Sequence, residues 1–72
     1  MKEVKITTEY IKLGQLLKYA AIIDSGALSK LFLNENEVLV NGIKEERRGR
    51  KLYPGDVVNV LNEEIVVKRD ED

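Results

Sequence analysis

The spacing of apolar side chains changes twice along this chain of 72 residues. Val4 and Ile6 alternate with Lys2, Glu3, Lys5 and Thr7, the period-two signature of a half-buried strand at 2–7. From Leu13 the period lengthens. Leu13, Leu16, Leu17 and Ala20 recur at helical spacing, with Gln15, Lys18 and Tyr19 on the other side, which predicts a helix over 13–22. Lys12 is a poor N-cap for it. Gly14 in its first turn costs up to about 1 kcal/mol relative to Ala, a cost that points to close packing there. Ser25 is a good N-cap, and a second helix is predicted over 26–34 with Leu28, Leu31 and Phe32 as its apolar stripe. Gly26, Ser29, Lys30 and Leu33 then point outward. The short link requires an angled or antiparallel helix pair.

Beyond the second helix the period returns to two. Val38 and Val40 lead into Asn41-Gly42, the strongest short hairpin signal, because both residues tolerate positive φ. Tyr53-Pro54-Gly55-Asp56 reads as a type II turn, with Pro54 presetting φ and Gly55 supplying the positive one. Strands follow at 57–61 and 65–67, joined at Asn62-Glu63-Glu64. The layout predicts one α+β domain at 1–69, two short helices packed on a small, mainly antiparallel sheet, and an acidic tail at 70–72.

Composition narrows the function. Hydrophobic residues make up 43% and charged residues 35%, as in a small folded domain. The chain has no cysteine and no histidine, which removes disulfides, thiolate chemistry, the usual neutral-pH base and the commonest metal ligand. No metal or other cofactor is expected. Glu45-Glu46 and Glu63-Glu64 are adjacent on strand-like segments, point to opposite faces and read as solvated carboxylates, so no catalytic site is expected. So small a core also leaves little room for a ligand cavity. The longest aliphatic run, 20–23, is far shorter than the roughly 20 residues of a membrane helix. No signal peptide or lipid anchor is read, and a cytoplasmic monomer is expected.

Net charge is −1, from 12 Lys and Arg against 13 Asp and Glu. Setting aside Asp70, Glu71 and Asp72 leaves 12 against 10, a net of +2. Five of the positive charges lie in Lys44-Glu45-Glu46-Arg47-Arg48-Gly49-Arg50-Lys51. Screening acts over about 8 Å, so this local cluster matters more than the sum. Arg47, Arg48, Arg50 and Lys51, bent together at Gly49, are the expected phosphate contacts, since arginine forks grip phosphate oxygens bidentately. Lys30 and Lys44 extend the patch. Ser25 and Gly26 offer free N–H groups at the helix start, and Asn41-Gly42 shapes the adjoining turn. Tyr10, Tyr19, Phe32 and Tyr53 are scattered, which disfavours a stacking platform and favours a mode that reads phosphates and shape. The acidic tail is expected to shield the patch from non-specific RNA.

From Leu13 to Val60 the chain resembles the S4-type RNA-binding domain, also called the αL motif, over about two thirds of its length. The matching residues are Leu16-Leu17-Lys18, Ser25-Gly26, Lys30, Val38, Val40-Asn41-Gly42 and Gly55-Asp56-Val57-Val58. Leu13 to Lys18 and Arg47 to Leu52 are typical of small stand-alone bacterial members called YaaA-like. The resemblance implies binding of structured RNA, ribosomal or transfer RNA and thereby the ribosome, through the second helix and adjoining loop. Many members carry Ser-Arg where this chain has Ser25-Gly26. Two other classes compete with this one. The first is a protein-interaction module using strand edges and exposed Leu33 or Tyr19. The second is a β-grasp sulfur carrier, which needs a terminal Gly-Gly where this chain ends Arg69-Asp70-Glu71-Asp72.

Overall fold

A computed structural model describes residues 1–70. In chain order the elements are β1 (Lys2–Ile6), β2 (Ile11–Lys12), α1 (Leu13–Tyr19), a single 3-10 turn (Gly26–Leu28), α2 (Ser29–Glu35), β3 (Val38–Val40), β4 (Ile43–Lys44), β5 (Lys51–Leu52), β6 (Val57–Val60) and β7 (Glu63–Arg69). Five strands form one sheet in the order β1-β7-β6-β3-β4. β1 runs parallel to β7, and the other pairs are antiparallel. β2 and β5 pair separately, Ile11 opposite Leu52. The arrangement is the expected α+β one.

Register places the valines in rows. Val38 faces Val60, Val40 faces Val58, and Val58 faces Ile65. All five are buried, with Val4, Ile6 and Val67 beside them. Against this face pack Leu13, Leu16, Leu17 and Ala20 of the first helical segment, together with Leu33 and Leu52. This one layer of side chains is the core.

The turns follow local chemistry. Asn41 and Gly42 have φ of 51° and 84°, the two positive values of a type I′ hairpin. Gly55 has φ of 99°, and the Asp56 N–H donates to the Tyr53 carbonyl at 3.0 Å, closing the type II turn. The hairpin between β6 and β7 differs from expectation. Its turn is Leu61-Asn62, at φ of 49° and 62°, and β7 begins at Glu63. A leucine in the left-handed region costs about 1–2 kcal/mol. The register explains why it is tolerated: Ile65 must sit opposite Val58, and a slip by one residue would turn Ile65 to solvent.

The first helix is shorter than the apolar pattern suggests, and the second keeps its expected extent but starts in a different helical form. α1 ends at Tyr19, and its C-terminal carbonyls are met by the Ala20 N–H to Leu16 and by Lys2 Nζ, which donates to the Ala20 carbonyl at 2.6 Å. The second helical segment opens with the 3-10 turn, so Ser25 is not a side-chain cap there. Its orientation is shifted as well, although Phe32 packs against the core and Gly26 and Lys30 are exposed as expected. Leu33, expected outside, is 2% exposed, and Ser29 is buried beside it. Leu31, expected inside, is 57% exposed, and Leu28 is exposed too.

Candidate nucleic-acid interface

Lys12 cannot cap α1, and the helix solves the problem with tertiary partners. Gln15 Oε1 accepts from the Lys12 N–H at 3.4 Å. The Leu13 and Gly14 N–H groups donate to the carbonyls of Arg50 and Arg48, each at 2.9 Å. Two of the orphan donors at this helix start are thus satisfied by the arginine loop itself. The same bonds fix that loop against α1.

The loop is also tied from within. Glu45, expected to be a solvated carboxylate, is 7% exposed. Its Oε2 accepts from the N–H groups of Glu46 and Arg47, each at 3.1 Å, and from Arg47 Nε at 3.0 Å. Its Oε1 accepts from Arg47 Nη2 at 3.1 Å and Arg50 Nη1 at 2.8 Å. These bonds, the Arg47 side chain foremost, hold the Glu45 carboxyl down to about 2, against the opposing effect of burial. The Arg47 guanidinium is raised in return. A depressed carboxylate pKa stabilises the fold fully above its ordinary value near 4.5, and that contribution is lost as pH falls towards 2. The clip is therefore intact near neutral pH.

Pairing divides the predicted cations. Arg47 and Arg50 share Glu45, but each keeps guanidinium donors free of it, and the Arg47 side chain is largely exposed. Lys44 sits 3.6 Å from Glu46 in an exposed pair of little energetic weight. Arg48 and Lys51 have no ion-pair partner among the described residues. The Arg47–Arg50 turn is closed by the Arg50 N–H to the Arg47 carbonyl at 3.2 Å. Gly49 lies in open space there without positive φ, so the bend does not depend on glycine.

Arg48 and Gly49 line a groove of about 310 Å³ together with Gly26, Ser29, Lys12 and Gln15. The second-helix start and the basic loop, remote in sequence, thus meet across α1. Gly14 makes the approach possible, because a Cβ there would lie 2.9 Å from Ser29 Oγ and 3.5 Å from the Arg48 carbonyl oxygen. Ser25 and Gly26 are exposed at the start of the second helical segment, and the Ser25 side chain makes no capping hydrogen bond. Lys30 is exposed on α2. The Asn41 side chain is consumed structurally: Oδ1 accepts from the Val57 N–H at 2.9 Å, and Nδ2 donates to Asp56 Oδ1 at 3.1 Å.

Sequence reasoning misses four participants. Lys12 is a poor cap by residue type, yet its charge borders the groove. Glu45 reads as solvated, although a carboxylate two and five residues ahead of arginines is a readable pairing signal. Tyr10 and Tyr53 are not scattered: their rings lie 5.9 Å apart, and Lys51 Nζ stands 4.8 Å from the Tyr10 centroid. Nor is the surface without hollows, since two of its grooves reach about 510 Å³. The shielding expectation rests on Asp70, Glu71 and Asp72, of which Glu71 and Asp72 lie outside the described residues.

Two helices crossing against a mainly antiparallel sheet, with a clipped basic loop at the crossing, define a domain class. The chain belongs to the S4 domain family, whose model matches residues 4–68. It is also 58% identical over 57 residues to a protein of Bacillus subtilis (strain 168) named "Probable ribosome maturation protein RlbA", with 79% of this chain and 80% of that one aligned. Family membership leaves the sulfur-carrier alternative without support. Among the described residues no helix is long and apolar enough to cross a membrane.

Proposed function

We propose that this chain is a non-catalytic RNA-binding module that grips structured ribosomal RNA mainly through its phosphates. The observation that carries the reading is the clipped loop: Glu45 and the α1 N–H groups hold Arg47, Arg48 and Arg50 in one fixed bend beside Lys12 and Gly26. Pre-ordered cations lose little entropy on meeting a phosphate. Arg48 and Lys51 are the free contacts, and Arg47 and Arg50 present the donors Glu45 leaves over. Lys30 and Lys44 flank the site, Ser25 and Gly26 give the RNA backbone room to approach, and Asn41-Gly42 fixes the neighbouring turn. The relative's name supports a ribosomal target and hence a cytoplasmic place of action. The module is proposed to work as a monomer.

A salt series on a ribosomal RNA fragment tests this. Arg47→Ala/Arg48→Ala is expected to weaken binding and flatten the log–log salt slope by about 0.7–0.9 for each phosphate no longer neutralised. An unchanged slope would remove the site. Glu45→Gln gives a test of sign. If Glu45 only neutralises charge, its loss tightens binding and steepens the slope. If it positions the arginines, as its five hydrogen bonds indicate, binding weakens although the protein has become more positive.

A further inference from the structure

A second groove, of about 510 Å³, opens between the end of β1, the 7–10 segment and α1. It shares Lys12 and Gln15 with the groove that holds Arg48, so the two are neighbours across the start of α1. Its walls differ in character from the phosphate groove. Tyr19, 63% exposed on the last turn of α1, lines it, and so does Tyr10. Tyr10 is braced by Tyr53 and by Lys51. The segment that carries Tyr10 is tied down too: Thr8 Oγ1 donates to the Tyr10 carbonyl at 2.8 Å, and Arg69 Nη1 donates to the Thr8 carbonyl at 3.2 Å. Lys5 and Lys12 border the groove without ion-pair partners among the described residues, and Glu9 is the only carboxylate among its lining residues.

Cations flanking an exposed tyrosine ring, here that of Tyr19, are the two ingredients of single-strand recognition. The volume is ample for one nucleotide. We propose that this groove receives an unpaired nucleotide of the same RNA whose structured part lies on the Arg48 loop. Lys12 leads the sugar–phosphate chain from one groove to the other. Lys5 meets the next phosphate, and the base stacks on Tyr19. The site selects for an unpaired residue beside a structured element and tolerates any base, because every base has a π-face. The inference rests on the RNA-binding reading above and adds to it a junction of paired and unpaired RNA as the target.

Three probes separate the two claims: a blunt RNA hairpin, the same hairpin with a short single-stranded extension, and the extension alone, each titrated by fluorescence anisotropy. The extended hairpin is expected to bind about tenfold tighter than the blunt one, within the range measured for stacking one base on an aromatic ring. Tyr19→Ala, at an exposed position, is expected to abolish that advantage and leave blunt-hairpin affinity within about twofold. Lys5→Ala is expected to flatten the salt slope for the extended hairpin alone, by about 0.7. Equal affinity of the two hairpins for the wild-type protein would overturn the proposal, as would an equal loss for both on Tyr19→Ala. No binding of the blunt hairpin, with the extended hairpin and the extension alone binding equally through Tyr19, would overturn the phosphate reading and retain the groove. Failure of all three would overturn both.

Discussion

α1 buries its leucines, whereas α2 and the turn before it show two of theirs to solvent, although both are seven-residue helices packed on the same sheet. The difference lies at one contact. Gly14 of α1 meets Ser29 of α2 so closely that a Cβ on the glycine would press on the serine side chain. Only a small residue fits at that point of α2. Ser29 is buried there, its Oγ satisfied by the Gly26 carbonyl at 2.7 Å. One turn later, on the same face, comes Leu33, which enters the core. Leu28 and Leu31 are left on the outside, with Ile22 and Phe32 partly buried at the margin. The lesson is that a tight crossing, rather than the larger apolar stripe, chose the buried face. Close approach of the helices in turn brings Gly26 to the Arg48 loop, so the crossing also builds the groove.

The contrast can be broken in order of effect. Leu33→Ala is expected to cost about 3 kcal/mol in urea unfolding, as for a fully buried leucine. Gly14→Val is expected to cost about 2 kcal/mol by overpacking, despite valine's better helix propensity. Adding Ser29→Gly should return part of that loss, and a double-mutant cycle with no coupling would show that the crossing does not turn on this contact. Leu31→Ala is expected to change stability by no more than about 0.5 kcal/mol, as for a surface site. A cost for Leu31→Ala equal to that for Leu33→Ala would reverse the assignment of inner and outer faces.

The basic loop carries the same lesson at the level of charge. Arg47, Arg48, Arg50 and Lys51 stand out in the sequence as a cluster, but nothing local to them says which are paired. Glu45 takes two of them because the chain folds back on the α1 N–H groups and buries the carboxylate between the arginines. Lys12 and Tyr10 are invisible in the sequence as site residues for a related reason. Their significance comes from β2 pairing with β5, which sets the 10–12 segment beside 51–53.

By itself, the sequence determined the strands of the five-stranded sheet, though not the β2–β5 pair, two of the three tight turns and the close packing at Gly14. Each rests on short-range physics: period-two burial, the positive φ of Asn-Gly and Pro-Gly turns, and the cost of glycine in a helix. Its basic cluster and S4 motifs also pointed to the family. Tertiary structure alone decided which face of α2 is inside, which arginines are clipped and which residues border the grooves. A helix with apolar residues on two sides has no preference of its own, and a charge has no partner until the chain brings one within hydrogen-bonding distance.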